Sequence, residues 1–113
     1  MIRSMSAAGA ILVVLTIAAG PAAAAMLDVR LKDHTFNPGT ISAKPGDTIV
    51  FHNDDPDLHS VLLPRNEALL AEHFIEPHTS YRVVIPATAE PAAYDLVCTI
   101  HLTMKGALRI TAK

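Results

Sequence analysis

Short β-type segments separated by turn residues are the feature that most restricts the fold of this chain. Leu27–Lys32 alternates apolar and charged residues, which is typical of a strand with one buried face. Thr48–His52 is rich in β-branched and aromatic residues, and the turn sequence Lys44–Asp47 precedes it. Further short strands are predicted at 41–43, 59–63, 81–85, 94–98 and 107–111. The pattern predicts an all-β protein, an antiparallel β-sandwich of seven or eight strands.

The first 25 residues differ from the rest and predict a signal peptide. A basic start at Arg3 is followed by an uncharged apolar run, then by Gly20-Pro21 and a tract of alanines. We expect cleavage before Met26 and export to the periplasm. A retained membrane anchor is the alternative, but the apolar run is short for a span, which needs about 20 residues.

Composition restricts the function of residues 26–113, which would form one domain. Without Arg3 this segment has 8 basic and 11 acidic residues, a net charge of −3, which argues against a nucleic-acid partner. Its single cysteine, Cys98, excludes an intrachain disulfide. An exported free thiol is expected to be buried, paired with another chain or bound to metal.

Three potential metal ligands follow one another at equal spacing near the C-terminus. Cys98, His101 and Met104 offer a thiolate, an imidazole and a thioether. This combination suits copper, because soft sulfur ligands favour Cu(I) and imidazole accepts both oxidation states. Zinc would favour a further Cys, His or carboxylate, and haem attachment needs a second cysteine. An inert buried thiol at Cys98 is the alternative.

A trigonal copper site with a weak axial methionine needs one more imidazole, and strand parity selects His59. His59 shares a strand face with Val61 and Leu63, so we expect it to point inward, as does Cys98 beside Leu96. The acidic loop before His59, which includes Asp54, Asp55 and Asp57, is predicted to be a solvated turn. The remaining histidines, His34, His52, His73 and His78, lack the ligand spacing; His52 is predicted to be half exposed, and surface roles are predicted for His73 and His78.

Larger stretches of the chain resemble the plastocyanin-like cupredoxins. These are Phe36–Ile41, Lys44–Asn53, the loop Asp54–Ser60 that contains His59, and Tyr94–Gly106. The two-residue gaps in Cys98-x-x-His101-x-x-Met104 are similar to those of amicyanins, which have a short ligand loop. The resemblance implies an eight-stranded Greek-key sandwich with one type 1 copper ion held by His59, Cys98, His101 and Met104.

The sequence also departs from this family beside the ligands. Ser60 stands where the family often has an asparagine that ties the two ligand loops together, and it could bond near Thr99. Prolines that the family often has near the ligands are replaced here by Leu58, Ile100 and Leu102. Where the family often has a bulky residue before the methionine, this chain has Thr103.

These features predict a one-electron carrier rather than an enzyme. We expect a monomer that docks transiently with a redox donor and acceptor, and by resemblance the electron would pass through His101. A periplasmic copper carrier or store would use the same ligands and is the alternative. A copper enzyme would need an open coordination position or a second metal, and the sequence offers no pattern for either.

Overall fold

A computed structural model describes residues 23–112 of the chain. The predicted signal peptide, residues 1–25, lies outside the described residues except for its last three. Within the described range, no helix is long and apolar enough to cross a membrane.

The described residues form nine β-strands and no helix. The strands are β1 (Met26–Lys32), β2 (Thr35–Asn37), β3 (Thr40–Ala43), β4 (Thr48–Asn53), β5 (His59–Val61), β6 (His73–Ile75), β7 (Ser80–Val84), β8 (Ala92–Val97) and β9 (Lys105–Ile110). One layer is a four-stranded sheet in the order β2-β1-β4-β7. The other contains β3-β9-β8, and a bridge between Leu62 and Val97 joins it to the hairpin of β5 and β6. The predicted all-β sandwich is confirmed.

The sheets are mixed: four of the strand pairs are antiparallel, as expected for the predicted antiparallel sandwich, and two are parallel. Strand β1 runs parallel to β4, with Leu31 opposite Asn53, and β3 runs parallel to β9, with Thr40 opposite Ala107. Alternation of apolar and polar residues shows that one strand face is buried, but it does not fix the direction of the neighbouring strand. The parallel pair matters for function because it brings the ends of β1 and β4 together.

Two strands were not predicted from the sequence. Thr35–Asn37 forms a short hairpin partner for β1, and His73–Ile75 pairs with β5. Both have only three residues, too few to show a period. Between β5 and β6, residues 66–70 form one hydrogen-bonded turn, in which the N–H groups of Leu69 and Leu70 donate to the carbonyl oxygen of Asn66 at 3.1 Å.

The core lies between the two sheets and is made of aliphatic and aromatic side chains. Its largest members include Leu31, Ile49, Phe51, Leu63 and Leu96, each at most 1% exposed. Burial of one such side chain contributes about 1.5–3 kcal/mol, so this layer stabilises the sandwich. Polar groups are buried at one end of it, where β1 and β4 finish, and this end holds the predicted ligands.

Candidate metal centre

The four predicted ligands come from two loops at the same end of the sandwich. His59 is the first residue of β5, which follows the acidic loop after β4. Cys98 directly follows β8, and Met104 directly precedes β9. His101 lies in the tight loop between them. The bridge from Leu62 to Val97 fixes β5 against β8 and therefore brings the two loops together.

The donor atoms of three predicted ligands converge. Nδ1 of His59 lies 3.2 Å from Nδ1 of His101, and Sγ of Cys98 lies 3.4 Å from the same His101 nitrogen. His59 and Cys98 are buried, as their strand parity predicted, and His101 is partly exposed. Two imidazole nitrogens and a thiol that point at one another in a buried place form a ligand-compatible cluster.

Met104 is buried and is hydrogen-bonded through its backbone to two of the other predicted ligands. It is 1% exposed, and its N–H donates to the carbonyl oxygen of His101 at 2.9 Å. The N–H of Cys98 donates to the carbonyl oxygen of Met104 at 3.1 Å. The first bond closes a turn within the Cys98–Met104 loop, and the second joins the two ends of the loop.

Ser60 joins the two ligand loops. Its N–H lies 3.4 Å from the sulfur of Cys98, and its hydroxyl oxygen accepts a 2.7 Å hydrogen bond from the N–H of Thr99. The contact that the sequence predicted between Ser60 and Thr99 is therefore confirmed.

Asp55 orients His59 from behind. Its Oδ2 lies 2.7 Å from Nε2 of His59, and the carboxylate also accepts the backbone N–H groups of Asp33 and His34 at 2.8 and 3.0 Å. A carboxylate at Nε2 holds the ring proton there and leaves Nδ1 free to bind a metal. The predicted solvated turn is wrong for Asp55, which is buried.

The charges around this end favour an ionised Asp55 and a neutral His101. Burial raises the pKa of Asp55, but hydrogen bonds from His34, His59 and Asp33 outweigh it and lower the pKa to about 2. Burial lowers the pKa of His101, and the neighbouring His34 and His59 lower it further. A neutral imidazole is the form that binds metal.

His34 also belongs to this end of the molecule, which the sequence did not predict. Its ring lies 4.1 Å from the ring of His101 and 5.4 Å from that of His59, measured between centroids. Its Nε2 is 2.7 Å from a carboxylate oxygen of Asp57. The sequence does place His34 directly after a predicted strand. This position indicates a place near the ligands only if β1 is known to run parallel to β4, because the end of β1 then lies beside the end of β4.

The other three histidines lie away from the cluster, as predicted. His52 is held between the side chains of Asp28 and Ser80, each 2.7 Å from one ring nitrogen. The exposed His73 stacks on Tyr81 with ring centroids 3.6 Å apart. His78 is exposed in a turn with φ of +60°.

Comparison with known proteins agrees with this geometry. The model of the cupredoxin-like domain family matches residues 5–110. The chain belongs to the cupredoxin-like family. No curated protein sequence matches this cupredoxin significantly.

Solved structures similar to this cupredoxin include amicyanins. The Cu(I) form of one amicyanin variant has a TM-score of 0.65 and 21% identity, covering 79% of this chain and 85% of that chain. A second variant in the reduced state has a TM-score of 0.64 and 21% identity, covering 76% and 82%. The copper-containing nitrite reductase from Thermus scotoductus has a TM-score of 0.62 and 21% identity, covering 75% of this chain but 22% of that one. At this identity the likeness establishes the fold alone.

The donor set in this cupredoxin fits one type 1 copper ion. Two imidazoles and one thiol converge, and Met104, which carries the thioether, is buried at the end of the same loop. Two histidines and one cysteine with a weak axial methionine are the ligand set of blue copper sites. The Asp55 carboxylate at the outer nitrogen of His59 supplies the hydrogen bond that metal-bound histidines usually make.

Proposed function

We propose that this cupredoxin is a periplasmic one-electron carrier with a type 1 copper ion on His59, Cys98, His101 and Met104. One observation carries the proposal. At a buried end of the sandwich, the Nδ1 atom of His59 and the sulfur of Cys98 both lie within 3.4 Å of the Nδ1 atom of His101. A bound copper ion supplies the reversible change between Cu(I) and Cu(II). The protein holds its ligands so that they move little when the charge changes.

Three hydrogen bonds, made by Asp55 and Ser60, support that rigidity. Asp55 holds His59 from the acidic loop, and Ser60 holds the backbone of Thr99. The N–H of Ser60 at the sulfur of Cys98 stabilises a thiolate, which tunes the balance between the two copper states. Because these bonds tie the loop that contains His59 to the loop that contains Cys98, the ligands of the two loops are held in a fixed relative position.

The surface around His101 suits brief contact with redox proteins. His101 is partly exposed, and Ile100 and Leu102 beside it are 45% and 86% exposed. A small apolar rim around a ligand favours weak docking to a donor or acceptor. The net charge of −3 on residues 26–113 adds attraction to a basic partner.

Location and processing form part of the proposal. Residues 1–25 have the three-part composition of a signal peptide, and export would deliver a monomeric carrier to the periplasm. Mass spectrometry of protein from a periplasmic extract measures this directly. A mass that includes Met1, found only in the cytoplasm, would contradict it.

The test of the copper site is the visible spectrum of the copper-loaded protein. We expect an intense blue band from charge transfer between the Cys98 thiolate and Cu(II), and its loss in Cys98→Ser. The control is His78→Ala, which removes an exposed imidazole and should keep the band. A colourless parent at full copper loading would overturn the proposal.

A copper carrier or store is the second candidate, and the His34–Asp57 pair beside the ligands favours it. This pair supplies metal donors that electron transfer does not need. The rate of electron self-exchange between oxidised and reduced protein separates the roles. A carrier of electrons exchanges rapidly, whereas slow exchange with tight copper binding would favour copper handling.

A further inference from the structure

A second set of metal donors lies against the proposed copper ligands on the solvent side. Ligand atoms of His34, Asp57 and His101 all lie within 4.8 Å of one another. His34 and Asp57 are exposed, with 44% and 56% of their side chains accessible. His101 belongs to this outer set and also to the inner set with His59 and Cys98. The donors therefore form a continuous series from the surface to the buried thiol.

The position of His34 is fixed by its backbone. Asp33 and His34 have φ of +52° and +56°, and this tight turn joins β1 to β2. The left-handed region is uncommon for residues other than glycine, and asparagine, aspartate and histidine adopt it more often than the rest. Both N–H groups of the turn donate to the buried carboxylate of Asp55, which holds His59 as well. The His34 imidazole is therefore anchored to the same group that orients the inner ligand.

The outer donors have the chemistry of a copper(II) site. His34 offers an imidazole, and Asp57 offers a carboxylate 2.7 Å from Nε2 of His34. Imidazole nitrogen together with carboxylate oxygen suits Cu(II), whereas the thiolate and thioether of the inner set suit Cu(I) as well. The ring of His34 covers that of His101 at 4.1 Å, so His34 meets an ion approaching from this side before the inner ligands do.

We propose that His34 and Asp57, together with His101, form an outer copper(II) site through which the ion reaches the inner ligands. This inference rests on the proposed function. In the first step Cu(II) exchanges two of its coordinated waters for a ring nitrogen of His34 and an oxygen of Asp57, and the His34 ring keeps its proton on the other nitrogen. In the second step these bonds break as bonds to His59 and Cys98 form. The thiol proton of Cys98 is released, and copper remains Cu(II).

Stopped-flow mixing of the metal-free protein with Cu(II) tests this path. We expect a first phase that lacks the blue band and shows the electron paramagnetic resonance signal of ordinary nitrogen- and oxygen-bound copper. The blue band then grows as that signal disappears. In His34→Asn the first phase should be lost and the blue band should form about tenfold more slowly, the scale on which the loss of one metal-site partner lowers affinity.

His78→Asn is the matched control for His34→Asn. Both histidines are exposed and have φ near +60°, and asparagine tolerates this conformation. His78 belongs to no ligand cluster among residues 23–112, so its variant should load at the parental rate. Asp57→Asn keeps the side-chain size and should slow loading in the same direction as His34→Asn.

Two results would overturn the outer site. Equal loading rates for the parent, His34→Asn and Asp57→Asn would show that copper reaches the inner ligands by another route. A His34→Asn protein that never turns blue, although it is folded by circular dichroism, would show that His34 belongs to the permanent site. A parent that never turns blue would instead contradict the proposed function itself.

Discussion

Strand β4 has a buried carboxylate at each end, and the two differ in what they hold. Asp47 directly precedes the strand and Asp55 follows it by two residues. Both are at most 5% exposed, and both have a pKa below the ordinary value. They lie at opposite ends of the sandwich, so one can be compared with the other.

In the uncleaved chain, which retains Ala25, each aspartate accepts two backbone N–H groups and has one charged or titratable partner. Asp47 accepts from Ala25 at 2.9 Å and from Lys44 at 2.8 Å, and the ammonium of Lys44 is 3.7 Å away. Asp55 accepts from two residues of the β1–β2 turn, and its third partner is the imidazole of His59 at 2.7 Å. A similar arrangement of a buried carboxylate thus serves a turn at one end and a proposed metal ligand at the other.

The comparison separates scaffold from function. Because both carboxylates satisfy backbone donors, both should contribute to stability. Only Asp55 has a partner whose other nitrogen faces the metal ligands, so only Asp55 should influence a bound copper ion. Substitution of either aspartate is therefore expected to lower the free energy of unfolding, whereas only substitution of Asp55 should change the reduction potential.

The largest effect is expected for Asp55→Asn. An amide replaces one acceptor oxygen by an NH2 group, which leaves buried donors without a partner at about 1–3 kcal/mol each. We expect the free energy of unfolding of the metal-free protein to fall by about 3 kcal/mol. In the copper-loaded protein the reduction potential should rise, because a negative charge that favours Cu(II) is lost. Chemical denaturation and voltammetry measure the two quantities.

Asp47→Asn is the matched control for this prediction. It should also lower the free energy of unfolding, since Asp47 accepts the N–H of Lys44, and in the uncleaved chain that of Ala25 as well. Its potential should equal that of the parent, because Asp47 contacts no predicted ligand. Equal shifts of potential in both variants would mean that Asp55 acts only through general stability.

An intermediate effect is expected from acid. The pKa of Asp55 in the folded protein is about 2, below its ordinary value of 3.8. A lowered pKa stabilises the folded state above the ordinary value, and this stabilisation is lost as the pH falls towards the folded value. The free energy of unfolding of metal-free parent should therefore decrease from about pH 4 to pH 2. Asp55→Asn should show a smaller decrease over this range, and an identical slope would contradict the assignment.

The β-sandwich and the set of proposed ligands could both be predicted from the sequence, because both predictions depend on local sequence patterns. Alternation in Leu27–Lys32 and the row containing His59 fixed which residues face inward. The spacing of Cys98, His101 and Met104 placed three donors in one loop. Each of these features is read within a few neighbouring residues.

The remaining features depend on contacts between distant segments. The role of Asp55 requires the β1–β2 turn to lie beside the loop after β4, which follows from the parallel pairing of β1 with β4. An antiparallel pairing would put that turn at the other end of the sheet. His34 was not selected for the same reason, since its partners Asp57 and His101 lie 23 and 67 positions away.

The smallest effect is expected for Lys44→Met, which tests the third partner of Asp47. The ammonium lies 3.7 Å from the carboxylate and the side chain is 35% exposed, so water screens the pair. Ion pairs of this kind contribute about 0–1 kcal/mol. The free energy of unfolding should therefore change by at most about 1 kcal/mol, and the potential of the copper protein should stay the same.

Removing the corresponding partner of Asp55, in His59→Ala, should instead eliminate the blue band. A loss of stability from Lys44→Met as large as that from Asp47→Asn would show that the ion pair, rather than the backbone donors, holds Asp47 in place. The two ends of β4 would then be alike in depending on a side chain as the third partner of the carboxylate.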